Sequence, residues 1–132
     1  MSDIVTDYSL NPVNNFEMQD ADFVYEEWNI VCWDQITIFV KFEDDKKTIK
    51  EFSFTWNTST VSTATASIIA EDIPWKTTDE VMQRNYEYLQ WLWVEVTARR
   101  KRAAVLPIVA LINWIYKYKE QEIKVDFDDL IE

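Results

Sequence analysis

The chain is 132 residues long, the size of a single domain built on one hydrophobic core. Apolar residues make up 48% and aromatics 15% of it, which excludes a compositionally disordered chain even with 28% charged residues. A net charge of −11 argues against a nucleic-acid partner, which would meet a cationic face, and the absence of histidine removes the side chain best suited to acid–base work near neutral pH.

Met1 to Tyr8 has neither a basic nor an apolar stretch of the secretory kind, and Ile4 to Leu10 is predicted as a short helix stopped by Asn11-Pro12. Phe23 to Val31, with Val24, Tyr25, Trp28, Ile30 and Val31 as its apolar residues, is predicted as an edge strand. Gln35 to Glu43 alternates around Ile36, Ile38, Val40 and Phe42 and is a strand. Asp44 to Lys47 supplies a turn, its aspartates taking any left-handed conformation, and Thr48 to Thr55 returns as the hairpin partner.

Val61 to Ile73 is a helix with Ser and Thr residues available as caps. Thr77 and Glu80 form a capping-box pattern that opens a second helix running on through Val81 to Leu92. Arg99 to Lys119 is a third, with a boundary or kink expected near Pro107. The aromatic and aliphatic stripes Tyr86, Leu89, Trp93 and Trp114, Tyr118 read as core packing. Residues 1–120 are expected to form one domain and 121–132 an acidic C-terminal tail that frays at its end.

The longest nearly uncharged apolar run, Ala103 to Tyr116, falls short of the roughly twenty residues a bilayer requires. A cytoplasmic protein without a membrane partner is expected, and one cysteine, unable to form an internal disulfide, fits a reducing compartment. No phosphate-binding loop, Ser/His pair or other catalytic signature is present, so an enzyme is not expected. The sole cysteine, Cys32, stands two residues before Asp34 at the head of the first long strand. A lone cysteine is as a rule a small buried hydrophobe, and a strand-initial aspartate a turn former.

Asn11-Pro12, Asp20-Ala21-Asp22, Cys32-Trp33-Asp34, the hairpin, the helix start Ser62 to Ser67, and Arg99 to Pro107 occur in an order that resembles the NifU/IscU/SufU family of iron–sulfur cluster assembly scaffolds, from about Tyr8 to Lys119. The resemblance implies an α+β fold: a small antiparallel three-stranded sheet with helices packed on one face. It also implies an iron–sulfur cluster, iron or zinc as ligand, and a cysteine desulfurase or other cluster-assembly protein as partner, with a homo-oligomer as a further arrangement.

Members hold metal with three cysteines and an aspartate, because thiolates are soft, strongly donating ligands and one oxygen ligand leaves a labile corner. By this resemblance Cys32 and Asp34 are the cofactor- and metal-binding residues, with Ser59 as a further metal position. The second cysteine position falls on Ser59 and the third on Ala103. A serine hydroxyl is a poor substitute for a thiolate and alanine cannot ligate, so one chain alone cannot hold a cluster. Either that activity is lost or another chain completes the site. The basic run Arg99 to Arg102 is a solvated helix start, a docking patch or a counter-charge for Cys32.

The chain has no glycine, where average usage of about 7% would give roughly nine. At family glycine positions stand Trp28, Trp33, Trp56, Trp75 and Trp93, which suggests UGA codons read as tryptophan in a gene whose organism reads them as glycine. Phe16 and Thr58 also replace family glycines and fall outside that explanation. Besides the scaffold, two other classes fit the residues. One is an interaction protein on the same fold that binds no metal. The other is an acidic inhibitor or nucleic-acid mimic.

Overall fold

A computed structural model describes residues 2–55 and 59–131. Helix α1 (Asp3–Leu10) leads through an irregular segment to strand β1 (Phe23–Asn29), a single 3-10 turn (Ile30–Cys32) and strand β2 (Asp34–Phe42). Strand β3 (Ile49–Thr55) and helix α2 (Thr60–Asp72) follow, then two short helices, α3 (Thr78–Val81) and α4 (Tyr86–Trp91). A 3-10 turn (Ala98–Arg100) leads into the long helix α5 (Lys101–Tyr118), and α6 (Phe127–Ile131) closes the chain. The fold is the expected α+β arrangement, with the three strands antiparallel in the order β1-β2-β3.

Period-two alternation fixes β2. Ile36, Ile38, Val40 and Phe42 point into the core, where they meet Ile49, Phe52 and Phe54 of β3 and the apolar faces of α2 and α5. Along β1 the inward residues are Phe23, Tyr25, Glu27 and Asn29, while Val24 and Trp28 face out. The inner face of this edge strand therefore turns from aromatic to polar toward the end that pairs Asn29 with Asp34. The strand stops at Asn29; Ile30 and Val31, expected to continue it, lie exposed on the 3-10 turn. At the opposite end of the sheet Phe23, Phe42, Trp114 and Tyr118 form a ring cluster with centroids 4.9 to 5.9 Å apart, an arrangement that adds specific aromatic contact to area burial.

Several expectations change for physical reasons. In the β2–β3 turn Asp45 accepts from the Lys47 and Thr48 N–H groups and the Thr48 hydroxyl, which leaves Lys46, not an aspartate, in the left-handed region at φ 58°. The capping box at Thr77 and Glu80 forms, yet the helix it opens ends at Val81. Asn85 turns extended and accepts from the Tyr88 N–H at 3.1 Å, starting a new helix, because asparagine satisfies a free helix N-terminus better than it continues a helix. Tyr86 and Leu89 are buried as expected, but Trp93 is exposed.

The segment after Tyr118 packs back onto the domain. Asn113, buried on α5, accepts from the Val125 N–H at 2.6 Å and donates to the Glu27 carboxylate at 2.8 Å, and Phe127 and Leu130 are buried against α5. Among the described residues no helix is long and apolar enough to cross a membrane.

Two outcomes follow from these contacts. Leu130→Ala should lower unfolding free energy by about 2 kcal/mol, the low end for a buried leucine, measured by denaturant unfolding; an unchanged midpoint would detach 121–131 from the folded unit. Thr48 holds the Asp45 carboxyl below the usual carboxylate range; Lys119 does so for Asp79, Thr77 for Glu80 and Lys41 for Asp20. These folded-state values lie below the unfolded ones. Their stabilisation is complete above about pH 5 and is lost as pH falls through the depressed values, so the melting temperature should drop below about pH 5.

Candidate functional site

The first residue of β2 is Asp34, and its carboxylate is buried. Burial of a carboxylate demands hydrogen bonds. One oxygen accepts from the Ser59 N–H at 2.7 Å and the other from the Ser62 hydroxyl at 2.6 Å. Ser59 is the N-cap of α2, its own hydroxyl accepting from the Ser62 N–H at 3.2 Å. Two orphan amides at the helix start thus find oxygen acceptors, and the start of β2 is tied to the start of α2.

Pro107 supplies the third member. A proline within a helix has no N–H to donate and displaces the carbonyl four residues earlier, here that of Ala103. The expected boundary near residues 105–107 is absent, because α5 is one helical span from Lys101 to Tyr118. The Ala103 carbonyl released by Pro107 instead lies 2.7 Å from the Ser62 hydroxyl. Ser62, fully buried, therefore stands between Asp34 on β2 and Ala103 on α5 while bound to Ser59 at its own helix start. Sequence reasoning noted it only as part of a helix start. Its position at the third helical residue, where a capping box carries Glu or Gln, was the one local signal available.

Three of the four positions singled out from the sequence, Asp34, Ser59 and Ala103, are thus brought together through Ser62. The fourth, Cys32, ends the 3-10 turn two residues before Asp34, and its side chain is exposed, not packed among hydrocarbon. Trp33 between them has a left-handed backbone, φ 52° and ψ 42°. Beside them Asn29, the cross-strand partner of Asp34, is fully buried with neither side-chain amide atom hydrogen-bonded.

Of the basic run, Lys101 lies over the Tyr86 ring, and Arg102 pairs with Asp128 at 3.3 Å and covers the Phe127 ring. These two cations secure α4 and α6. Among the described residues no three Cys, Asp or Glu side chains cluster as a metal site would require. The chain offers one thiol, Cys32, beside a rim whose oxygen atoms are hydrogen-bonded to one another. Trp56 and Thr58, both expected at glycine positions, lie outside the described residues.

A three-stranded antiparallel sheet whose second strand, second helix and long helix converge on one polar rim defines a small α+β domain. The chain belongs to the family described as NifU-like N terminal domain, which matches residues 1–125. The iron-sulfur cluster assembly scaffold protein IscU 1 of Archaeoglobus fulgidus is 28% identical over 125 residues, covering 95% of this chain and 80% of that protein. The scaffold protein IscU of Streptococcus pyogenes serotype M1 is 30% identical over 79 residues, covering 60% of this chain and 48% of its own.

Two crystal structures share the fold. One is a putative cluster assembly scaffold protein for the SUF system from Fervidobacterium islandicum AW-1, with TM-score 0.67 at 23% identity, covering 84% of this chain and 93% of the other. The second is the N-terminal part of a nitrogen-fixing NifU-like protein from Brucella abortus, with TM-score 0.71 at 16% identity, covering 90% and 94%.

Ser62→Ala removes, in a buried place, the hydroxyl that lies between Asp34 and the Ala103 carbonyl and whose single proton the two acceptors share. It should cost about 1–3 kcal/mol in a urea titration. Thr65→Val, which removes at nearly constant shape a buried hydroxyl that meets the Ser62 carbonyl at 3.3 Å within the same helix, should cost less. Equal losses would show that the link across β2, α2 and α5 carries no particular weight.

Proposed function

We propose that this chain is an iron–sulfur cluster assembly protein that presents a single thiolate, Cys32, to its cargo, with the remaining ligands supplied by a second polypeptide. The cargo is iron, zinc or a nascent cluster. The completing chain is a second copy or a cluster-assembly partner such as a cysteine desulfurase. The observation that carries this reading is the exposed sulfur of Cys32 at the rim where the first residue of β2 meets the starts of α2 and α5.

Asp34 is the second donor in this reading. Each of its oxygens accepts one hydrogen bond at the rim, and an ionised carboxylate has about four acceptor positions, so lone pairs remain, and because the group is buried a cation engages it by displacing part of the rim. Ser59 and Ala103 hold the rim together through their main-chain N–H and C=O groups and contribute no ligand. The role is that of a scaffold or carrier acting in the cytoplasm, with no chemical step of its own.

A second reading has an observation of its own. Ile30 and Val31 stand exposed directly before Cys32, as a surface docking a protein partner without metal would present them.

Zinc titration of anaerobically purified protein separates the two. On the first reading zinc saturates below one ion per chain, its binding is lost in Cys32→Ala, and it drives chains into a dimer or a partner complex seen by light scattering. Partner capture that is indifferent both to metal and to Cys32→Ala would replace the first reading with the second.

A further inference from the structure

Six described residues have a positive φ, and since the chain contains no glycine each carries a side chain there: Asn14, Trp33, Lys46, Trp75, Trp93 and Glu120. Asparagine visits this region readily because its short side chain bonds locally; a bulky residue there is a genuine outlier. Half of the six are tryptophan.

The three tryptophans occupy three different structures, each of which favours glycine independently. Trp93 follows the end of α4, where its N–H donates to the Gln90 carbonyl and the Val94 N–H to the Leu89 carbonyl, both at 3.0 Å. That pair of bonds is the Schellman motif, and Trp93, at φ 70°, sits at its left-handed position. Trp75 is the third residue of the turn Ile73-Pro74-Trp75-Lys76, closed by the Lys76 N–H on the Ile73 carbonyl at 3.0 Å. Proline second and φ 75° third are the marks of a type II turn, whose third residue is glycine or asparagine. Trp33, at φ 52° and ψ 42°, ends the 3-10 turn between Cys32 and Asp34.

None of the three indoles compensates by packing. Trp33, Trp75 and Trp93 are 83%, 74% and 78% exposed, whereas Trp114, in the ring cluster with Phe23, Phe42 and Tyr118, is 2% exposed on a regular helix. The backbone also divides the tryptophans singled out from the sequence. Trp28 lies in a regular strand with its indole N–H on Glu26 at 2.6 Å, so nothing in its conformation asks for glycine.

We infer that residues 33, 75 and 93 are glycine in the protein as its own cell makes it, their codons being UGA read there as glycine, while Trp114 is a true tryptophan. The residue between Cys32 and Asp34 then has no side chain, and the thiol stands clear of a large apolar neighbour. The inference is independent of whether Cys32 holds metal.

Tandem mass spectrometry of peptides from protein isolated from its natural source, read beside the coding DNA, tests it directly. Glycine at all three positions with tryptophan at 114 is expected; tryptophan at any of the three, or a UGG codon there, overturns the inference. Recombinant protein adds a conformational measurement: W33G/W75G/W93G should melt at a higher temperature than the tryptophan-bearing chain, and W114G at a lower one. A triple variant melting below its parent would also overturn it.

Discussion

The hydroxyl of Ser62 is the contact on which the arrangement of the rim depends. It joins three elements that have no covalent reason to meet: the first residue of β2, the N-terminus of α2 and the carbonyl of α5 released by Pro107. Each partner arrives with a need. Asp34 is a buried carboxylate, α2 begins with unpaired amides, and Ala103 has lost its helical donor. Left unmet, each would cost on the order of 1–3 kcal/mol, a sizeable share of the stability of a domain this size. One hydroxyl, its single proton shared between Asp34 and the Ala103 carbonyl, and the cap beside it meet these needs together.

That economy bears on what the rim can do. At residues 59 and 103 this chain has an N-capping hydroxyl and a methyl group. The positions are kept together by hydrogen bonds that require no ion. The rim is therefore formed in advance, and Cys32, outside the network and exposed, is the donor free to engage a ligand from solution. Preformed geometry favours binding because less ordering remains to be done when the partner arrives. On the proposed function this rim supplies a partial share of a ligand sphere, and so a second polypeptide belongs to that function.

Legibility in the sequence followed the range of the interactions. Strands β2 and β3 were readable because alternation at Ile36, Ile38 and Val40 is a local pattern set by which face is buried. The capping box at Thr77 was readable for the same reason. The helix break at Asn85 was missed because the apolar spacing from Val81 to Leu92 continues across it, while the asparagine that restarts the helix carries only a weak local preference. The docking of Phe127 and Leu130 depends on Asn113, twelve residues before the Val125 it holds, and on Glu27 at the far end of the chain. At the rim, resemblance supplied Cys32, Asp34, Ser59 and Ala103. Ser62 stayed hidden because its two partners lie 28 and 41 residues away.

The left-handed residues carry the reasoning one step further. At about 1–2 kcal/mol each, the five side chains other than Asn14 in that region would consume a cost comparable with the whole net stability of about 5–15 kcal/mol. Strain of this kind is tolerated where function needs it, which would account for Trp33 beside Cys32. It does not account for Trp75, whose N–H bonds the Ile49 carbonyl at the end of β3 remote from Thr55, nor for Trp93 behind α4. Natural sequences agree with their folds at every local choice, and turns with a proline second or a Schellman cap are among the most exacting of those choices. Three violations by one residue type, at the rim and at plain turns alike, therefore call for a cause common to the residue type, and selection at a single site cannot supply one.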